Sequence, residues 1–213
     1  MSDEPAAEGQ DSVLGPLVRV IEEACDSAPW ALIGGTALRL QGVQTHSPNL
    51  EFMASSEVVT ALASMLGQET EWDRGQHLAA TRLQFLRHGI PVFVFADPVF
   101  HGRYESLKPM EIPSLWDARI RATLGAPGAP GITAAPGITG APGVTGTVGI
   151  PTTPAEWELL LAVILEAHDR VELLRHHLRS TGFDSRLIVR LLREGHVDRE
   201  TEEAVWSVLE RDA

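Results

Sequence analysis

The sequence predicts an α/β protein of α+β type, with a small mixed sheet, flanking helices and a C-terminal helical region. Three observations carry this expectation. Short apolar runs stopped by glycine or proline alternate with segments of helical periodicity over the first 124 residues. A glycine-led triplet repeat then breaks the pattern at 125–151. Helical periodicity alone continues after it.

Val13, Leu14, Leu17, Val18, Val20, Ile21 and Ala24 recur at helical spacing and predict a helix over 12–28, with Ser12 as its cap. Trp30, Ala31, Leu32 and Ile33 form an apolar run stopped by Gly34 and Gly35, which reads as a buried strand. A short helix over 36–41 closes at Gly42, and a polar loop follows. The strand over 49–54 starts by alternating, with Asn49 and Glu51 on one face and Leu50 and Phe52 on the other. A helix is expected over 57–66. Strands over 78–87 and 90–96 meet at His88 and Gly89 as a hairpin. The second is apolar on both faces, so it belongs at the sheet centre, and Asp97-Pro98 should end it. Residues 118–123 alternate like a strand, although a helix starting at Trp116 is the competing reading.

Beyond the repeat, Thr153, Pro154 and Glu156 have the order of a capped helix start. One long amphipathic helix is expected over 157–178, broken by Gly182, with further helices over 185–193 and 199–210. The domain expectation is therefore a disordered tail at 1–11, an α/β domain at 12–124, a collagen-like low-complexity spacer at 125–151, and a helical region at 152–213. The spacer departs from collagen because Ala134 occupies a glycine position, and a triple helix accepts only glycine there. A flexible spacer is preferred to a trimerising stalk. If 118–123 and 145–150 pair, the repeat is an expanded hairpin tip.

The formal net charge of −12 disfavours an extended nucleic-acid surface, because neutralising phosphates needs clustered Lys and Arg. A small pocket for a nucleotide remains compatible with it. Cys25 is the single cysteine, and it reads as a buried structural thiol. The acidic start lacks a signal-peptide pattern, and no apolar stretch reaches the roughly 18 residues of a membrane span. A cytoplasmic location without membrane association is expected.

The stretch from Trp30 to Ala54, WALIGGTALRLQGVQTHSPNLEFMA, resembles the opening of nucleotidyltransferases of the minimal and abortive-infection-toxin type. In that family a strand ends in Gly-Gly or Gly-Ser, a short helix follows, and the next strand carries two acids one residue apart. A third acid stands on a later strand. Here Gly34-Gly35-Thr36 is followed by twelve residues and then Asn49-Leu50-Glu51. The resemblance implies a phosphate-side turn at Gly34, Gly35 and Thr36, with Arg39 as a phosphate contact or a surface ion-pair partner. It implies NTP and Mg²⁺ as cofactors, with Glu51 as metal ligand and Asn49 as an auxiliary one. Glycine suits such a turn because the absent Cβ permits close approach. Asn49 and Glu51 would stand about 6.6 Å apart on one strand face.

The departures from the family pattern carry equal weight. Asn49 replaces the first acid, and Phe93 is the best-aligned position for the third. Asp97 lies about 13 Å further along the strand, too far to substitute without a bulge. The expectation is a nucleotidyltransferase-like protein of impaired catalysis that binds nucleotide weakly or acts through a protein partner. An active transferase and a non-enzymatic interaction module are the alternatives.

Two other clusters read more plainly. His168 and Glu172 share a helix face, as metal ligands would, but no second cluster completes a site, so a solvated face is preferred. Arg170 and His176 are similar in spacing to the Arg and His of ribonucleases that accompany minimal nucleotidyltransferases. Val171 replaces the polar residue usual beside that Arg. Trp157 and Trp206 are expected to anchor helix packing.

Overall fold

The computed structural model describes residues 4–25, 27–124 and 149–210. Helix α1 (Glu4–Ala24) leads into β1 (Trp30–Ile33), α2 (Gly34–Leu40), β2 (Leu50–Ala54) and α3 (Ser56–Leu66). Strands β3 (Thr70–Arg74), β4 (Leu78–Arg87), β5 (Ile90–His101) and β6 (Ser106–Leu107) follow. Then come α4 (Pro113–Asp117), β7 (Ile120–Thr123) and β8 (Gly149–Thr152). Helices α5 (Ala155–Ile164), α6 (His168–Thr181), α7 (Ser185–Glu194) and α8 (Arg199–Glu210) complete the order.

The strands form one mixed sheet in the order β3-β4-β5-β2-β1-β8-β7, with β6 added beside β5. Strand β2 runs parallel to β5, and β1 parallel to β8; the remaining pairs are antiparallel. Alternation along each strand divides the core in two. Leu32, Phe52, Val92 and Val94 pack with Leu14, Val18 and Leu62 of α1 and α3. Ala31, Met53 and Phe95 pack on the other face with Trp157, Leu174 and Leu191 of the C-terminal helices. The α/β fold class is as expected, and the C-terminal helices share a core with the sheet.

Several expected boundaries move. Helix α1 begins at Glu4 rather than Ser12, so residues from Glu4 to Asp11 are helical where a disordered tail was expected. Glu4, Ala6, Ala7 and Glu8 are good helix formers, and Pro5 is tolerated in a first turn. Ser12 is no cap; its hydroxyl donates to the Gly9 carbonyl. Strand β5 does not end at Asp97-Pro98 but continues to His101 through an irregularity opposite Ala80, where Asp97 takes φ +43°. A bulge accepts proline and a left-handed Asp.

Strand β3 has no counterpart in the expectation, because an edge strand exposed on both faces has no alternating signature. The long helix over 157–178 is two helices, separated where Glu166 takes φ +53°. Thr153 does not cap α5; Pro154 holds that position without a side-chain bond.

Strand β7 resolves the ambiguity at 118–123 in favour of a strand, preceded by the short α4. It pairs with β8 from Ile120↔Thr152 to Thr123↔Gly149. Residues Gly149 to Pro151, expected at the end of the spacer, thus belong to the sheet. Residues 125–148, which hold the rest of the repeat, lie outside the described residues. No described helix is long and apolar enough to cross a membrane.

Candidate functional site

The turn between β1 and α2 is built around two glycines with different jobs. Gly34 takes φ +76°, and a Cβ there would lie 2.5 Å from Glu51 Oε2. Its missing side chain therefore leaves room for the Glu51 carboxylate. A Cβ on Gly35 would lie 2.9 Å from Ser47 Cβ and 3.4 Å from the His46 carbonyl oxygen. The 45–48 loop thus lies directly against Gly35.

The antiparallel pairing of β1 with β2 sets Ile33 beside Glu51, which brings this carboxylate to the glycine turn. Asn49 donates its amide to Glu51 Oε1 at 3.1 Å and accepts from the Ser47 hydroxyl at 2.7 Å. On the other side of β2, the parallel register with β5 places Phe93 opposite Glu51. Paired residues share a sheet face, so an aromatic ring is the neighbour of this carboxylate. Phe93 lies parallel to Phe95 with centroids 6.3 Å apart, and the Arg82 guanidinium sits 5.7 Å from its centroid.

A cleft of about 360 Å³ opens at this point, lined by the 45–48 loop, Asn49 and Glu51, and by Asp169, Arg170 and Leu173 of α6. Behind it lies Glu158 of α5, only 1% exposed. One Glu158 oxygen accepts from Gly34 N–H at 3.1 Å and from the Thr153 hydroxyl at 2.6 Å; the other accepts from Arg170 at 2.5 Å. Burial raises the Glu51 pKa, and the Glu158 charge raises it further, while Arg170 and the Asn49 hydrogen bond lower it.

The structure therefore brings Gly34, Gly35, Asn49 and Glu51 together. Thr36 is buried at the same turn, with its hydroxyl spent on the Asn49 carbonyl at 3.3 Å. Arg39 stands apart, paired with Asp11 of α1 at 2.5 Å. Among the described residues, no three His, Cys, Asp or Glu side chains converge as a metal cluster. His168, Glu172 and His176 are exposed on α6, and Glu172 pairs with Arg175. Cys25 is buried and donates to the Ala28 carbonyl. Trp157 is fully buried, and Trp206 packs against the same core.

No protein family matches the sequence, and no curated protein matches it. Solved structures do match the fold. A crystal structure from Thermotoga maritima, of a protein assigned as a nucleotidyltransferase, aligns with a TM-score of 0.51 at 14% identity. The alignment covers 79% of this chain and 94% of that one. This is the nucleotidyltransferase fold. The antibiotic-resistance factor ANT(2'')-Ia aligns at a TM-score of 0.41 and 13% identity, over 92% of this chain and 90% of its own. JHP933 from Helicobacter pylori aligns at 0.31 and 13%, over 98% and 90%. The fold assignment rests on the first of the three.

Within the nucleotidyltransferase fold, the residues that the sequence reading missed are Glu158 and Thr153, and Arg170 in the place it holds here. Glu158 sits in a helix that is buried almost all round, and its sequence neighbours give no hint of a polar partner. The one available signal was a charged residue inside the apolar run 157–164, which must be paired if it is buried.

Proposed function

We propose that this chain is a nucleotidyltransferase-like protein of impaired catalysis, which binds a nucleotide weakly in the cleft beside Glu51 or acts through a protein partner. The observation that carries the reading is the register Glu51↔Phe93. In the family pattern the position opposite this strand supplies an acid, and a benzyl ring cannot coordinate a cation. Asn49 supplies a neutral amide whose NH₂ is already engaged by Glu51. Glu158 is close by, but Gly34, Thr153 and Arg170 occupy both its oxygens. The donor set present does not fit two divalent cations with a triphosphate, which need several anionic oxygens around each ion.

The cleft volume and the Gly34–Gly35 turn support a small ligand of nucleotide size. Calorimetric titration with Mg-ATP, together with a transfer assay using labelled nucleotide, tests the reading. Weak binding that Gly35→Glu abolishes, with no labelled product, is the expected result. Labelled transfer lost in Glu51→Ala would replace it with an active transferase. No binding to any nucleoside triphosphate would leave an interaction module.

A further inference from the structure

We propose that residues 45–48 are a gate over the nucleotide cleft, held shut by the first half of α1. This inference rests on the nucleotide reading above and adds a conformational control to it. His46, Ser47 and Pro48 form the wall between two cavities. On one side is the cleft of about 360 Å³ beside Glu51; on the other is a cavity of about 750 Å³ bounded by Gly9, Gln10, Ser12, His88 and Ile90. Displacing the loop would join the two into one groove, with a summed volume near the upper end of the range for small-molecule sites. With the loop in place, Ser47 and His46 lie against one side of Gly35, which still lines the smaller cleft, so the loop narrows the path of phosphates to that glycine.

The strap is chemically specific. Gln10 is a buried polar residue, 4% exposed, and its side-chain amide donates to the Ser47 carbonyl at 2.5 Å. The next residue, Asp11, holds Arg39 of α2. Arg39 is the cation that the family resemblance offered to phosphate, so the same helical turn holds the loop and pairs the charge. The loop's other hydrogen bonds are local: Thr45 N–H to the Val43 carbonyl, and the Ser47 hydroxyl to Asn49. Ser47 also reaches Glu51 through the Asn49 amide. Opening the gate therefore takes the Ser47 hydroxyl away from Asn49 Oδ1, while the Asn49 amide stays on Glu51.

Calorimetric titration of the full chain with Mg-ATP tests this. The double variant Gln10→Ala/Asp11→Ala should bind about tenfold tighter than the parent, because the Gln10 hydrogen bond no longer favours the closed loop and Arg39 is released from Asp11. Gln10→Glu keeps the helix and the side-chain volume but faces the Ser47 carbonyl with an acceptor, so it should move affinity in the same direction. In the parent, Mg-ATP should speed amide hydrogen exchange at Thr45, His46 and Ser47; in the variants, exchange there should be fast before ligand is added. Measurable but equal affinity in parent and variants overturns the gate and leaves the nucleotide reading standing. Binding by none of the three chains overturns both.

Discussion

The Glu51 carboxylate is partly buried beside Gly34, in the field of a second carboxylate, Glu158. Burial first, and Glu158 second, hold its pKa above the ordinary 4.5, against the opposing pull of Arg170 and Asn49. The native state thus keeps this proton more tightly than the unfolded chain does. The corresponding stability is fully present below pH 4.5 and is lost as pH rises through the raised native value. Glu51→Gln should therefore raise the Tm at pH 7, and the gain over the parent should shrink as pH falls toward 4.5; thermal scans across that range check it. The neighbouring positions give a second expectation. Asn49→Asp combined with Phe93→Asp sets three carboxylates around one strand register. Their mutual repulsion should lower the Tm in chelator, and millimolar Mg²⁺ should restore it, because an ion bound only by the native state stabilises it by mass action. The parent should respond to Mg²⁺ much less in the same scan.

Among the elements, α5 decides how the site is assembled. Its Glu158 takes hydrogen bonds from the α2 start, from the end of β8 and from α6, so three separate pieces of chain converge on one buried carboxylate. Glu158→Ala would leave Gly34 N–H and Thr153 buried without this partner and deprive Arg170 of its counter-ion. A loss of about 3 kcal/mol in urea unfolding is expected, as for breaking one side of a buried ion pair. Gly34 and Glu51 illustrate how much of this was legible. The strand, the glycine turn and the polar-x-acid spacing were visible in order, because they follow from local chain geometry. Glu158 and Arg170 were not. Glu158 lies 124 residues from the backbone N–H it binds, and the break at Glu166 that turns α6 back across the cleft has no glycine or proline to announce it. Strand β3 was missed for a different reason: exposed on both faces, it is held by pairing with β4, and that pairing leaves no hydrophobic period.

At the scale of the molecule, the sheet joins what the composition suggested were two regions. Strand β8 takes up the end of the repeat and pairs with β7, which precedes the repeat. Thr123 and Gly149 face each other in register, so the intervening residues close a loop whose ends are already together. Replacing 125–148 by a short turn should leave the sheet intact and stabilise it by about 2 kcal/mol, since closure entropy changes only with the logarithm of loop length. Equilibrium unfolding measures this, and light scattering on the same chain reads any change in oligomeric state. A large loss of stability would show that the repeat does more than connect.

By itself the sequence determined the alternation of strands and helices, the two-faced patterning that requires a layered α/β fold, and the glycine turn next to a strand bearing Asn49 and Glu51. Those are local properties, written in periodicities of two and 3.6 residues and in the positions of glycine and proline. Phe93, already the aligned position in the sequence, was set opposite Glu51 by strand register. The tertiary structure alone decided that Glu158 and Arg170 reach the candidate site from the C-terminal helices, and that Gln10 of α1 hydrogen-bonds the 45–48 loop. Each of these is a contact between residues far apart in the chain, fixed by strand register and helix packing, and no spacing in the sequence encodes it.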